Sequence, residues 1–118
     1  MLTIIEWQKI EQKSKKSLEK LCKKYDIQKY EDLCRLSFDD LHNFFDENNI
    51  FIEISVWIDE YLDEKSYHVE IQKLISGTYE CVREFEEDNL YKAKEFSIPD
   101  AFEIMEDKRC NNKPAFPF

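Results

Sequence analysis

The central segment of the chain, residues 48–65, carries two competing hydrophobic patterns in NNIFIEISVWIDEYLDEK. With a period of two, apolar side chains line one face of a strand: Ile50, Ile52, Ile54, Val56 and Ile58. With a period of 3.6, they form one stripe of a helix: Phe51, Ile54, Ile58, Tyr61 and Leu62. The helical pattern continues for about 15 residues, whereas strands average about 5 or 6. A lone strand also leaves its backbone unpaired, and no comparable second strand is evident. The pattern therefore predicts a buried central helix.

Other helices are predicted on both sides of this segment. Their predicted ranges are 4–24, 30–36, a helix from 38 to the Asn pair at 48–49, 66–88 and 98–108. Three capping boxes of the type [ST]-x-x-[DE] mark helix starts: Thr3 with Glu6, Ser37 with Asp40, and Ser97 with Asp100. Gly77 falls inside the predicted helix 66–88, at a cost of up to about 1 kcal/mol relative to alanine.

These elements predict an all-α, single-domain bundle of four to five helices over residues 1–110, followed by an extended tail with Pro and Phe over residues 111–118. Gly77 is the only glycine, so residues suited to hairpin turns are scarce. One alternative stays open, in which residues 50–58 form a strand that pairs with a strand from another chain.

Charge is the strongest clue to function. The 118 residues carry a formal net charge of −9. The first 24 residues have seven Lys against three Glu, whereas residues 25–64 have twelve acidic side chains against Lys29 and Arg35. This balance opposes direct binding to nucleic acid phosphates and favours a basic protein as partner. The N-terminal lysines are interpreted as a solvated helix face or as a contact for acidic residues of the same or a second chain.

The sequence also predicts a cytoplasmic location. Charged residues interrupt every apolar run near the N-terminus, so no secretory leader is expected there. No apolar segment reaches the length of a membrane span. The four cysteines, Cys22, Cys34, Cys81 and Cys110, form no close pair, which is typical of reduced thiols.

No motif predicts catalysis, a metal site or a cofactor. The two histidines, His42 and His68, and the cysteines show none of the close ligand pairs of zinc sites, such as C-x-x-C or H-x-x-x-H. A glycine-rich loop for phosphates is also absent from the sequence. We therefore expect a non-enzymatic protein without catalytic residues, metal ligands or cofactors.

A partner-binding surface is predicted where acidic and aromatic residues alternate in the middle of the chain. Carboxylates steer a basic partner, and aromatic side chains anchor it. The predicted residues are Asp39, Asp40, Asp46, Glu47, Asp59, Glu60, Tyr61, Asp63, Glu64 and Tyr67.

In size, acidity and glycine content the chain is similar to the immunity proteins that bacteria pair with nuclease toxins, and to small phage inhibitors of nucleic-acid enzymes. The likeness is one of charge and size, so no residue roles are carried over. It implies a protein that binds and neutralises a basic partner protein. The alternative is a self-associating structural module, in which the Lys-rich N-terminal helix contacts the acidic middle of a second copy.

Overall fold

A computed structural model describes residues 2–107, which form a mixed α/β fold. The helices of the described residues are α1 (Ile4–Lys13), α2 (Lys15–Tyr25), α3 (Tyr30–Leu33), α4 (Phe38–Glu47) and α5 (Leu90–Glu106). The strands are β1 (Ile50–Asp59), β2 (Glu64–Ile75) and β3 (Thr78–Glu87), which form one antiparallel sheet in the order β1-β2-β3. The predicted all-α helical bundle is therefore wrong.

The central segment is strand β1, so its period of two describes it correctly. Its partner is β2, which pairs with it from Ile50 opposite Lys73 to Asp59 opposite Glu64. The predicted helix 66–88 is in fact β2, a turn and β3. The partner strand that the sequence did not reveal, β2, thus follows β1 directly and pairs with one edge of its backbone.

Two short connections make these hairpins possible despite the scarcity of glycine. Ser76 and Gly77 both have positive φ (51° and 83°) between the paired residues Ile75 and Thr78, which is the geometry of a two-residue hairpin turn. Residues 60–63 close the other hairpin, where the Asp59 carboxylate accepts the backbone N–H groups of Tyr61 and Leu62 at 3.0 and 3.2 Å. We call this β1–β2 connection, with the adjoining strand ends, the hairpin tip.

Helix α5 packs against all three strands and α4 against β1, while α1 and α2 pack on α5, and α3 packs on α1. Val69 and Ile71 of β2 are fully buried, together with Ile50 and Ile52 of β1. Phe102 of α5 belongs to the same core, and its ring contacts those of Trp7, Phe44 and Phe45 at centroid distances of 5.9, 6.2 and 4.9 Å. Arg83 of β3 fixes α5 from above, since its guanidinium donates to Asp100 and Glu103 at 2.8 and 2.9 Å.

The capping boxes have mixed outcomes. The boxes at Thr3/Glu6 and Ser37/Asp40 are confirmed as the N-caps of α1 and α4. The box at Ser97/Asp100 is wrong, because α5 begins eight residues before the predicted start, with Asn89 as its N-cap. Ser97 is buried inside α5, where its hydroxyl donates to the Lys94 carbonyl.

The predicted N-terminal helix is broken in two at Ser14, which has non-helical backbone angles. Ser14 makes no side-chain cap for α2. Glu106 at the end of α5 does so instead: its carboxylate accepts the backbone N–H groups of Lys16 and Ser17 at 2.9 and 3.2 Å. A carboxylate here satisfies two free donors and complements the positive end of the helix dipole. Through this cap, Glu106 connects the end of α5 to the start of α2.

Some expectations fall outside the described part of the chain. The tail 111–118, Cys110 and the predicted boundary at residue 110 lie outside the described residues. Within residues 2–107, no helix is both long and apolar enough to cross a membrane.

Replacing Glu106 tests the contact between α5 and α2. Glu106→Gln is expected to lower the free energy of unfolding by about 1–2 kcal/mol, because a charged cap of two helix N–H groups is lost. Urea denaturation followed by circular dichroism measures the change. The control Glu19→Gln removes an exposed charge from α2 and should change stability by less than about 0.5 kcal/mol. Equal effects of the two substitutions would contradict the capping role.

Candidate functional site

The two faces of the sheet differ in their charged side chains. Strand alternation and register place all the basic residues of the strands on the side that the helices cover, together with two glutamates: Lys65, Lys73, Arg83, Glu80 and Glu87. The opposite side carries six carboxylates and, within the three strands, no Lys or Arg. These residues, which we call the acidic face, are Glu53, Asp59, Glu64, Glu70, Glu84 and Glu86.

Three of these carboxylates form a row across the sheet. Glu53 pairs with Glu70, and Glu70 pairs with Glu84, so one Glu from each strand stands in register. Directly opposed side chains have Cβ atoms only about 4.5–5.5 Å apart, and like charges at that distance destabilise a sheet. Gln72 compensates in part, since its amide donates to Glu53 at 3.2 Å. Packing of the sheet against the helices does not require these like charges to stand side by side.

His68 of β2 lies next to the row, between side chains of β1 and β3. Its ring stacks on Trp57 of β1 with a centroid distance of 4.3 Å and an interplanar angle of 11°. Its Nε2 lies 3.3 Å from an oxygen of Glu84, and its Nδ1 lies 3.9 Å from an oxygen of Glu86. The side chain is 13% exposed, and Nδ1 is buried without a hydrogen bond. The imidazole is therefore fixed in orientation with carboxylates facing both of its nitrogens.

His68, Glu70 and Glu84 together form a set of potential metal ligands. Their donor atoms all lie within 4.8 Å of one another. This set was not predicted from the sequence, because its spacing differs from the C-x-x-C and H-x-x-x-H pairs of helices and knuckles. The signal was the pattern H-x-E, which places both residues on one face of a strand.

Cys81 adjoins these residues on the same face, opposite Gln72. Partial burial raises the pKa of its thiol, and the Glu70 and Glu84 carboxylates raise it further. The acidic surroundings thus favour the neutral thiol over the thiolate.

The hairpin tip gathers part of the predicted partner-binding set. An open concavity of about 930 Å³ is lined there mainly by aromatic and acidic residues, together with the basic Lys65, from β1, β2, their connection and the end of β3. Four of the lining residues were predicted from the sequence: Asp59, Glu60, Tyr61 and Glu64. Trp57 and Glu86, which were not in the predicted set, line the same space. Tyr61 is completely exposed and Trp57 is 51% exposed, so both rings are accessible.

The remaining predicted residues lie elsewhere. Asp63 is in the hairpin connection, while Tyr67 turns to the helix side, half-buried against the core. Asp39, Asp40, Asp46 and Glu47 belong to α4. A strand of ten residues spans about 30 Å, so Asp46 and Glu47, which precede β1, lie at the opposite end of it from the tip.

Two of the α4 carboxylates have local structural roles. Asp40 completes the capping box of Ser37. Glu47 forms an ion pair with Lys24 of α2, which is an intramolecular contact for the N-terminal lysines. The structure thus brings the tip residues together and leaves the α4 residues apart from them.

No protein-family model, curated protein or solved structure matches the chain. Its function has to be inferred from its own geometry and charge.

Replacing the central glutamate tests whether the row is strained. Glu70→Gln, measured in EDTA at neutral pH and low salt, is expected to raise the free energy of unfolding by about 0.5–1 kcal/mol, because two like-charge pairs disappear. The gain should shrink in high salt, which screens exposed charges. Glu31→Gln on α3 is the control, with a change below about 0.5 kcal/mol expected. A loss of stability in Glu70→Gln would show that the row is not repulsive.

Proposed function

We propose that this protein binds a basic partner protein through the acidic face and the hairpin tip, and neutralises the partner by covering its basic surface. One observation carries the proposal: six carboxylates stand on the side of the sheet that the described helices leave uncovered, and the strands place no Lys or Arg on that side. Such one-sided charge steers an oppositely charged protein during association.

The side chains on this surface suit the contacts of a basic partner. Glu53, Glu70 and Glu84 offer adjacent carboxylates to Lys ammonium or Arg guanidinium groups, and Arg can bind a carboxylate through two parallel hydrogen bonds. Trp57 and Tyr61 add accessible rings, on which a cation can stack and which supply anchor energy.

The repulsion within the carboxylate row also supports a binding role. A row of like charges costs stability in the free protein, and a cationic partner offsets that cost when it binds. If the partner is an enzyme that acts on nucleic acid, the carboxylates occupy positions that substrate phosphates would otherwise take. Inhibition is then steric and electrostatic and needs no catalytic residue or cofactor of this chain. A cytoplasmic location is part of the same proposal.

Tagged protein purified from its native cell tests this proposal. The wild type is expected to retain a basic protein in near-equal amount at low salt and to release it at high salt. The variant Glu53→Gln/Glu70→Gln/Glu84→Gln should retain at least about tenfold less, because three charges of the surface are lost.

The matched control is Glu31→Gln/Asp39→Asn/Asp46→Asn, which removes the same charge from α3 and α4. It should retain the partner as the wild type does. Charge reversal of Asp59, Glu60, Asp63 and Glu64 tests the tip separately. Equal retention by the wild type and by both surface variants would refute the proposed surface.

Self-association is the second candidate function. It is favoured by the exposed apolar side chains near the tip, among them Val56, Ile58 and Leu62, and by the outer edge of β3, which has no partner strand among the described residues. In this alternative, the lysines of α2 contact the acidic face of a second copy.

Sedimentation equilibrium distinguishes the two functions. A self-associating module is expected to form an oligomer at low salt that dissociates in high salt, and Ile58→Ser should weaken it, because an exposed apolar contact is lost. The control is Thr3→Ser at the N-cap of α1, which preserves the cap and should leave the measured mass of the oligomer unchanged. A monomer at all salt concentrations would exclude this alternative.

A further inference from the structure

We propose that His68, Glu70 and Glu84 bind one divalent transition-metal ion of the zinc type on the acidic face. The three ligands belong to a single chain, so the site requires no partner and does not rest on the function proposed above. It differs from the expectation that the sequence contains no metal ligands.

The backbone already brings the three ligands to one place. Residues 68 and 70 are two apart on β2 and share a face, and Glu84 is the register partner of Glu70 on β3. Zinc bonds of about 2.0–2.2 Å separate neighbouring ligand atoms in a tetrahedral site by about 3.4 Å. His68 Nε2 and the Glu84 oxygen are 3.3 Å apart, and the whole set lies within 4.8 Å. Glu70 therefore needs only a side-chain adjustment to complete the site.

The surroundings of His68 match those of a metal-binding imidazole. Such a ring needs a fixed orientation and an acceptor for the proton on its second nitrogen, often a carboxylate. Stacking on Trp57 provides the orientation. Glu86 is the register partner of His68, and its oxygen lies 3.9 Å from Nδ1, which makes no hydrogen bond. With Nε2 bound to the ion, Nδ1 carries the proton, and a side-chain movement of Glu86 brings its oxygen from 3.9 Å into hydrogen-bond distance.

The ligand set selects the class of ion. One imidazole nitrogen and two carboxylate oxygens suit Zn²⁺, whereas Mg²⁺ and Ca²⁺ prefer oxygen ligands alone. Three protein ligands leave at least one coordination position for water or for a group of another molecule. The double positive charge also relieves the repulsion in the row of Glu53, Glu70 and Glu84.

Nitrogen NMR of the imidazoles tests the site directly. The ¹⁵N-labelled protein, first treated with EDTA and then dialysed, is titrated with ZnCl₂. The Nε2 signal of His68 is expected to shift and to reach its end point at one equivalent. His42 is an internal control, because its Nε2 lies 3.0 Å from the Ile52 carbonyl, beside β1, and should not respond. MgCl₂ at the same concentration should leave both rings unchanged.

Variants assign the other ligands. Glu70→Gln/Glu84→Gln is expected to weaken zinc binding by at least about tenfold, while Asp39→Asn/Asp46→Asn, which removes the same charge from α4, should bind as the wild type does. Cys81→Ser should keep its affinity within about threefold of the wild type, since the thiol is not one of the three ligands.

Three results would overturn the site: zinc binding without a shift of His68 Nε2, unchanged affinity in Glu70→Gln/Glu84→Gln, or loss of binding in Cys81→Ser. The NMR titration uses the wild-type protein, so it stays decisive if a variant fails to fold. It also contains no partner protein, so a negative result here leaves the partner-binding proposal to its own experiment.

Discussion

The packing of α5 against one face of the sheet is the contact on which the rest of the structure depends. A three-stranded sheet is stable in water only when one face is covered. Helix α5 covers this face, and its Phe102 shares the core with Val69 and Ile71 and contacts the aromatic rings of α1 and α4. Glu106 then ties the end of α5 to α2. The described helices leave the second face of the sheet open, so its composition is free to serve binding.

Local signals predicted the helical part well and the sheet badly. The caps at Thr3 and Ser37 act within four residues, so the sequence alone identifies them. The sheet depends on pairing between segments, and β2 and β3 happen to show a helical stripe through residues 71–85 as well as alternation. A single glycine argued against two hairpins, but Ser76 adopts a positive φ as Gly77 does. In the other connection Asp63 has a positive φ, and the Asp59 carboxylate accepts a backbone N–H. Both the helical and the alternating pattern are present in these segments, and pairing between the strands decided in favour of the sheet.

Because residues 66–88 were predicted as a helix, part of the candidate site was not predicted either. Acidic and aromatic residues at the tip are contiguous in sequence, so charge alone pointed to Asp59, Glu60, Tyr61 and Glu64. In a helix, residues two apart point to nearly opposite sides, and under that interpretation His68 and Glu70 could not act together. In a strand they share a face, and the pairing of β2 with β3 adds Glu84 from a position 14 residues away. Only the register, which the sequence did not reveal, brings these ligands together.

The sheet separates charge in a way that its own stability does not explain. On the covered side, Arg83 is neutralised by Asp100 and Glu103, and Lys73 donates to the Ile104 carbonyl, so both have acceptors on α5. Lys65, at the tip end of β2, lies over the Tyr67 ring. Arg83 and Lys73 are therefore engaged away from the acidic face. The carboxylates of Glu53, Glu70 and Glu84 repel one another across the strands. A cation from outside the sheet relieves this repulsion, either locally as a metal ion beside His68 or more broadly as the basic surface of a partner. Both proposals thus follow from one property of the described fold, an open sheet face on which the strands place carboxylates and no Lys or Arg.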